Sequence, residues 1–142
     1  MEKLRYATIE DKRWIELIYR VKPKEIGDFN QFYSWTNYAK KPTRSNKFLC
    51  YEQKGFVRFG YSVKYDAYFI HEIGVYPENR REGIARLLFE YVRELANAEG
   101  KKINLKCNVT NEGAMRFYKT MGMQVVGQSQ TKKGVKQLIW TT

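Results

Sequence analysis

Apolar positions along the chain fall into short alternating runs separated by helical stripes. "KLRYATI" (3–9) alternates and predicts a strand, after which Glu10 and Asp11 introduce a helix with Trp14, Ile15, Ile18 and Val21 on one face. Lys22-Pro23 ends that helix, because the residue before a proline is pushed out of helical geometry. Residues 28–39 space Phe29, Phe32, Tyr33 and Thr36 as a second short helix, and "KKPTRSN" follows as a loop. Three candidate strands come next, at 47–53, 56–65 and 68–76, with Lys54-Gly55 and Asp66-Ala67 as two-residue connections of an antiparallel meander. Ile84, Leu87, Leu88, Tyr91, Val92 and Leu95 then recur at helical spacing up to a C-terminal stop at Gly100. "KINLKCNV" (102–109) alternates again, "NEGAMRFYKTMG" carries Ala114, Phe117, Tyr118 and Met121 on a helical stripe, and "MQVVGQSQ" and "VKQLIWT" flank Lys132-Lys133-Gly134 as a closing hairpin. The order β-α-α-β-β-β-α-β-α-β-β is a mixed α/β arrangement, a central sheet covered by helices on both sides.

Composition narrows the class. A chain of 142 residues that is 43% hydrophobic, with no compositional break, is expected to form a single domain over 1–142. Its charged start and the lack of any long apolar run argue for a soluble, cytoplasmic protein that does not enter membranes. Cys50 and Cys107 sit in apolar alternating stretches and read as buried thiols, and two cysteines with one histidine supply no metal-ligand cluster. The net charge of +11 is uneven: residues 101–142 carry eight basic side chains against Glu112 alone. Such a field attracts polyanions and repels cations, although a merely soluble basic surface is the plainer reading.

The stretch "VYPENRREGIARLL" (75–88) adds chemistry to this frame. A strand end, a Pro77 turn and Arg80-x-x-Gly83-x-Ala85 at the head of a helix make a strand-loop-helix anion site, because a helix's first turn presents unpaired N–H groups and glycine lets the backbone close on a phosphate. No Gly-Lys-Ser/Thr follows and no GxGxxG is present, so neither a Walker loop nor a dinucleotide fingerprint explains it. A charged turn with a capping glycine remains the alternative.

Three pieces in order resemble the GNAT superfamily of acyl-CoA-dependent N-acyltransferases: the Glu72–Val75 strand end, "PENRREGIA", and "NEGAMRFYKTMGM" with Asn111, Ala114, Phe117, Tyr118, Gly122 and Met123. The resemblance runs from about Lys47 to Met123, and the first 46 residues resemble only a variable acceptor-side region. It implies a mainly antiparallel sheet of about seven strands flanked by four helices, with the fourth and fifth strands splayed around the pantetheine arm of acetyl-CoA. It further implies pyrophosphate held by the backbone of Arg81, Glu82, Gly83, Ile84 and Ala85 with Arg80 in the motif position, and pantetheine and thioester held by the backbone of Ile73 and Val75. Arg81 departs from the glycine that many relatives carry there.

For the chemistry, the resemblance makes Tyr118 the acid that protonates the departing thiolate, with helix packing as its plain alternative. Asn111 is either near the pantetheine amides or a helix N-cap, or both. Glu72 is the candidate general base, acting directly or through a water, unless it is simply paired with an arginine. His71 should face the other side of the strand unless a bulge intervenes, and otherwise reads as a core histidine. Where the branch that acetylates ribosomal-protein N-termini often has a carboxylate, five residues before the asparagine, this chain has Lys106. The reading is an N-acetyltransferase acting on a primary amine by direct attack, as a monomer or homodimer. Its acceptor would sit on an anionic body: nucleic acid, a ribonucleoprotein, a nucleotide-linked amino sugar or an acidic protein, not a polyamine or aminoglycoside. The alternative is a catalytically weak or inactive nucleic-acid-binding module, suggested also by the five aromatics and by Lys40, Lys41, Arg44 and Lys47 in residues 28–47, unless Phe29, Phe32 and Tyr33 are core and the lysines simply solvated; the role of residues 22–47 stays open.

Overall fold

A computed structural model of the chain describes residues 3–21 and 43–142. The expected helix over 28–39, and Lys40 and Lys41 after it, lie outside the described residues. Seven strands, β1 (Leu4–Tyr6), β2 (Lys47–Tyr51), β3 (Gly55–Ser62), β4 (Ala67–Val75), β5 (Ile103–Asn108), β6 (Gln124–Gln130) and β7 (Lys136–Thr141), build one sheet in the order β1-β2-β3-β4-β5-β7-β6. The three α-helices among the described residues are α1 (Lys12–Val21), α2 (Ile84–Ala98) and α3 (Glu112–Thr120). Every neighbouring pair is antiparallel except β4 and β5, so the sheet is mixed and mainly antiparallel. No helix among the described residues is long and apolar enough to cross a membrane.

Local chemistry sets where the elements begin and end. The first strand stops at Tyr6 rather than continuing to Ile9, because the Asp11 carboxylate accepts the Thr8 N–H at 2.8 Å and pulls the chain into a 3-10 turn before α1. Asp11 is itself buried, bidentate with Arg5 at 2.7 Å on each oxygen and bonded by the Trp14 indole at 2.7 Å. The meander connections are longer than two residues: 52–54 closes with Lys54 N–H to Tyr51 O, and 63–66 with Asp66 N–H to Val63 O. Glu52 and Asp66 take left-handed conformations there, which lets each turn close without glycine.

Two apolar clusters sandwich the sheet. On one face α1 sets Trp14, Ile15, Ile18 and Tyr19 against Phe48, Cys50 and Phe56. Gly74 permits this contact, since a Cβ there would stand 2.8 Å from both Ile18 Cγ2 and Phe56 Cε1. On the other face α2 and α3 pack over Val57, Phe59, Ile70, Leu105 and Trp140. The buried stripe of α2 runs through Ile84, Leu88, Phe89, Val92 and Ala96, leaving Leu87 44% exposed; Phe89 replaces it and meets the Phe117 ring edge-on at 6.2 Å. Both cysteines are free, buried thiols, as their alternating contexts predict.

Candidate active site

The sheet opens at its centre. β4 and β5 are in register only at Tyr68 with Ile103, Phe69 with Asn104 and Ile70 with Leu105, and past those pairs they separate. The Tyr76 N–H donates to Lys54 O at 3.0 Å, toward β3. Alternation back along β4 turns the backbone of Gly74 and Glu72 the same way and leaves the N–H and C=O groups of Ile73 and Val75 facing the gap. Among the described residues no backbone group pairs with them, and backbone N–H and C=O groups withdrawn from water demand partners.

At the wide end of the gap the chain makes a 3-10 turn over Pro77–Asn79 and then passes through two left-handed residues, Arg81 at φ 71° and Gly83 at φ 78°, before α2 begins at Ile84. Gly83 is the N-cap and offers no side chain to the first turn, whose N–H groups therefore point outward unsatisfied by a cap. Among the described residues nothing lies within 4 Å of where a Gly83 Cβ would stand, so the glycine serves conformation rather than packing against them. Arg81 accepts a left-handed conformation at a cost of about 1 kcal/mol. The Glu82 carboxylate is drawn sideways, accepting Asn79 Nδ2 at 2.9 Å and lying 3.7 Å from Lys54 Nζ, so it does not oppose an anion at the helix head. Ile84 anchors the loop by burying its side chain against Gly55.

A bulge in β4 decides which side chains reach the α1 face. Arg58 pairs with Glu72 but Phe59 with Ile70, so His71 is the extra residue. The bulge brings His71 and Glu72 to the same face, the condition under which both approach the gap. Glu72 is 4% exposed and fully engaged: Arg58 donates through Nε to Oε1 at 2.8 Å and through Nη2 to Oε2 at 3.0 Å, and the Tyr19 hydroxyl donates to Oε1. Burial pushes the Tyr19 phenol well above its ordinary range, and the Glu72 charge adds to it. Burial opposes the Arg58 charge, but Glu72 beside it raises its pKa all the same. His71 is not a core residue. Its ring packs on Phe69 at 5.1 Å, and desolvation there, with the Arg58 cation, lowers its pKa to about 4.

Sequence reasoning missed Tyr19 and Arg58. Arg58 left a signal, a lone cation inside the apolar run "FVRFG", whereas Tyr19 stood beside the counted helical stripe with nothing to mark it. On the opposite face of the sheet, α3 starts with Asn111 as a true N-cap, its Oδ1 accepting the Ala114 N–H at 3.1 Å. Tyr118 is buried beside Phe117 and Trp140. Burial raises its pKa, and the Glu72 charge on the β4 flank of the gap raises it further.

The model of the acetyltransferase (GNAT) family matches residues 9–123. Among curated proteins, none matches the chain by sequence. Solved structures similar to it include a Desulfovibrio desulfuricans protein described as a GNAT-family acetyltransferase, with TM-score 0.83 and 13% identity over 98% of this chain and 96% of that one. Naa20 of Chaetomium thermophilum, solved with a bisubstrate analogue, has TM-score 0.77 and 23% identity over 99% of this chain and 86% of its own. NAA60 of Arabidopsis thaliana, solved with acetyl-CoA, has TM-score 0.74 and 17% identity over 98% and 96%.

Proposed function

The chain belongs to the GNAT acetyltransferase family, and from that premise we propose that it moves an acetyl group from acetyl-CoA directly onto a primary amine borne by an anionic molecule or macromolecule. The observation that carries this is the edge of β4 past Ile70, unpaired among the described residues, which runs straight into the left-handed loop at the head of α2. An extended pantetheine would satisfy the Ile73 and Val75 backbone, and the pyrophosphate would take the N–H groups from Arg81 to Ala85, with Arg80 and Arg81 adding charge. A gap-facing N–H near the thioester oxygen would stabilise the charge that develops there as the amine attacks, and alignment of amine and thioester would supply much of the remaining rate.

Tyr118 is the proposed acid toward the departing sulfur. Asn111, whose Oδ1 is taken by capping, would offer its amide N–H₂ to the pantetheine. Glu72 is the proposed base. With its oxygens held by Arg58 and Tyr19, it works through a water on the acceptor side rather than by touching the ammonium. The reading is tested by thiol release from acetyl-CoA across a broad amine panel, and by mass spectrometry of protein, RNA and DNA fractions after incubation with labelled acetyl-CoA. Background release throughout, with no mass shift in any fraction, would sink it.

One observation favours a nucleic-acid-binding role instead of or beside catalysis: residues 113–142 contain five cations and no carboxylate. Binding of that kind must weaken steeply with salt, so a flat salt response with single-stranded RNA and DNA rules it out.

The loop gives a sharper test. Gly83→Asp places a carboxylate where the phosphates would lie and should weaken CoA binding roughly 30-fold, about 2 kcal/mol. Gly83→Asn, of the same shape and equally tolerant of left-handed backbone, should lose only a few-fold, as should Arg81→Ala. Equal losses for Gly83→Asp and Arg81→Ala in calorimetric titrations would mean that the loop is merely a charged turn.

A further inference from the structure

Beyond the last register pair of the parallel strands, Ile70 with Leu105, the next residues are the bulged His71 and Glu72 on β4 and Lys106 on β5. Ile103, Leu105 and Cys107 point into the core under α2 and α3, so Lys106 points to the opposite face, the one to which the bulge turns Glu72. Lys106 therefore stands across the mouth of the gap from Glu72. It is half-buried, and it belongs to no ion pair among the described residues, whereas Glu72 is already neutralised by Arg58. Its neighbours on that face are uncharged: Asn104 accepts from Thr141 at 2.7 Å, and Asn108 accepts from Gln137 at 2.9 Å. Among the described residues, the β5 edge of the gap on this face thus presents one unmatched charge, a cation, between amides that are already hydrogen-bonded.

We infer that Lys106 holds an anionic group of the acceptor, so that the substrates are primary amines carrying a phosphate or carboxylate a few bonds from the nitrogen. This rests on the acetyltransferase reading. An ammonium alone would meet repulsion here, while an amine with a neighbouring anion pairs it with Lys106 and swings its nitrogen toward the thioester. The pairing also cancels the anion's tendency to keep the amine protonated, which leaves more of the neutral nucleophile. The step itself is ordinary acyl transfer: the N–C bond forms, the C–S bond breaks, the amine proton leaves through the Glu72 side and the thiolate is protonated from Tyr118.

The test uses matched probes, O-phosphoethanolamine against ethanolamine for phosphate and β-alanine against β-alaninamide for carboxylate, with wild type, Lys106→Met and Lys106→Glu. The expected result is a kcat/KM about tenfold higher for at least one anionic member in the wild type, an effect of the size of one well-placed ion pair. The preference should vanish in Lys106→Met and reverse in Lys106→Glu, with the KM for acetyl-CoA within about twofold throughout. Equal use of both members by the wild type, or a preference that survives Lys106→Met, overturns the inference while leaving the acetyltransferase reading intact. If no probe is turned over, calorimetry on the CoA-saturated protein decides: binding of an anionic probe that Lys106→Met abolishes supports the inference, and its absence overturns it. Failure of acetyl transfer itself would show separately, as background thiol release with every amine in the wild type.

Discussion

Tyr118→Phe is expected to lower kcat about 100-fold, the low end of what a well-placed general acid supplies, while the KM for acetyl-CoA moves little. The hydroxyl is the only atom removed, and phenylalanine fills the same space among Phe117, Trp140 and the core, so stability should change by less than about 1.5 kcal/mol. Burial, with the Glu72 charge across the gap, raises the Tyr118 pKa, which keeps the phenol protonated across any practical assay range. The loss of rate should therefore be the same at every pH, with no limb assignable to Tyr118 in the wild-type profile. A thiolate leaving beside this buried phenol is also poorly solvated, and its proton affinity rises with that of the phenol, so transfer can keep pace with C–S cleavage. Acyl donors with a more acidic thiol need that proton less, and they should narrow the gap between wild type and variant. Unchanged kcat, together with a normal melting temperature, would reduce Tyr118 to a packing residue and remove the main support for an acid-assisted mechanism.

What could be read in advance depended on how local the physics was. The loop from Tyr76 to Ala85 was legible because turn, glycine and helix start lie within ten residues, and the structure adds only that Arg81 shares the left-handed geometry of Gly83. The stripe of α2 was legible to within one residue; Leu87 and Phe89 differ by little more than half a turn, and only the position of α3 selects the second. The surroundings of Glu72 were not legible. Its three donors come from Tyr19 and Arg58, 53 and 14 residues away, and they meet it only because one extra residue in β4 turns the carboxylate toward α1. A bulge leaves no compositional trace in "YFIHEIGV", so alternation alone could say that His71 and Glu72 part company but not that they are brought back together.

That same cluster carries the largest stability prediction. Arg58→Met should destabilise the fold by about 3–5 kcal/mol, because it leaves the Glu72 carboxylate buried with no opposing charge. The arginine side chain is only 11% exposed and the carboxylate 3%, so water can do little to replace the lost bonds. For a chain of this length the melting temperature should fall by roughly 10 °C. Removing the charge as well should undo most of the damage: Arg58→Met with Glu72→Gln trades the stranded ion for a neutral amide that can still accept from Tyr19. The double variant is therefore expected to recover at least about half of the loss in urea unfolding, while its acetyl transfer stays low because no carboxylate remains to organise the water. The contrast separates two roles for Glu72. If the double variant regained both stability and full turnover, Glu72 would be a structural partner of Arg58 and the proton would leave by another route. If it regained stability alone, the ion pair would be the device that holds a working carboxylate at the mouth of the gap, with Tyr19 and Arg58 fixing its orientation on the face that receives the amine.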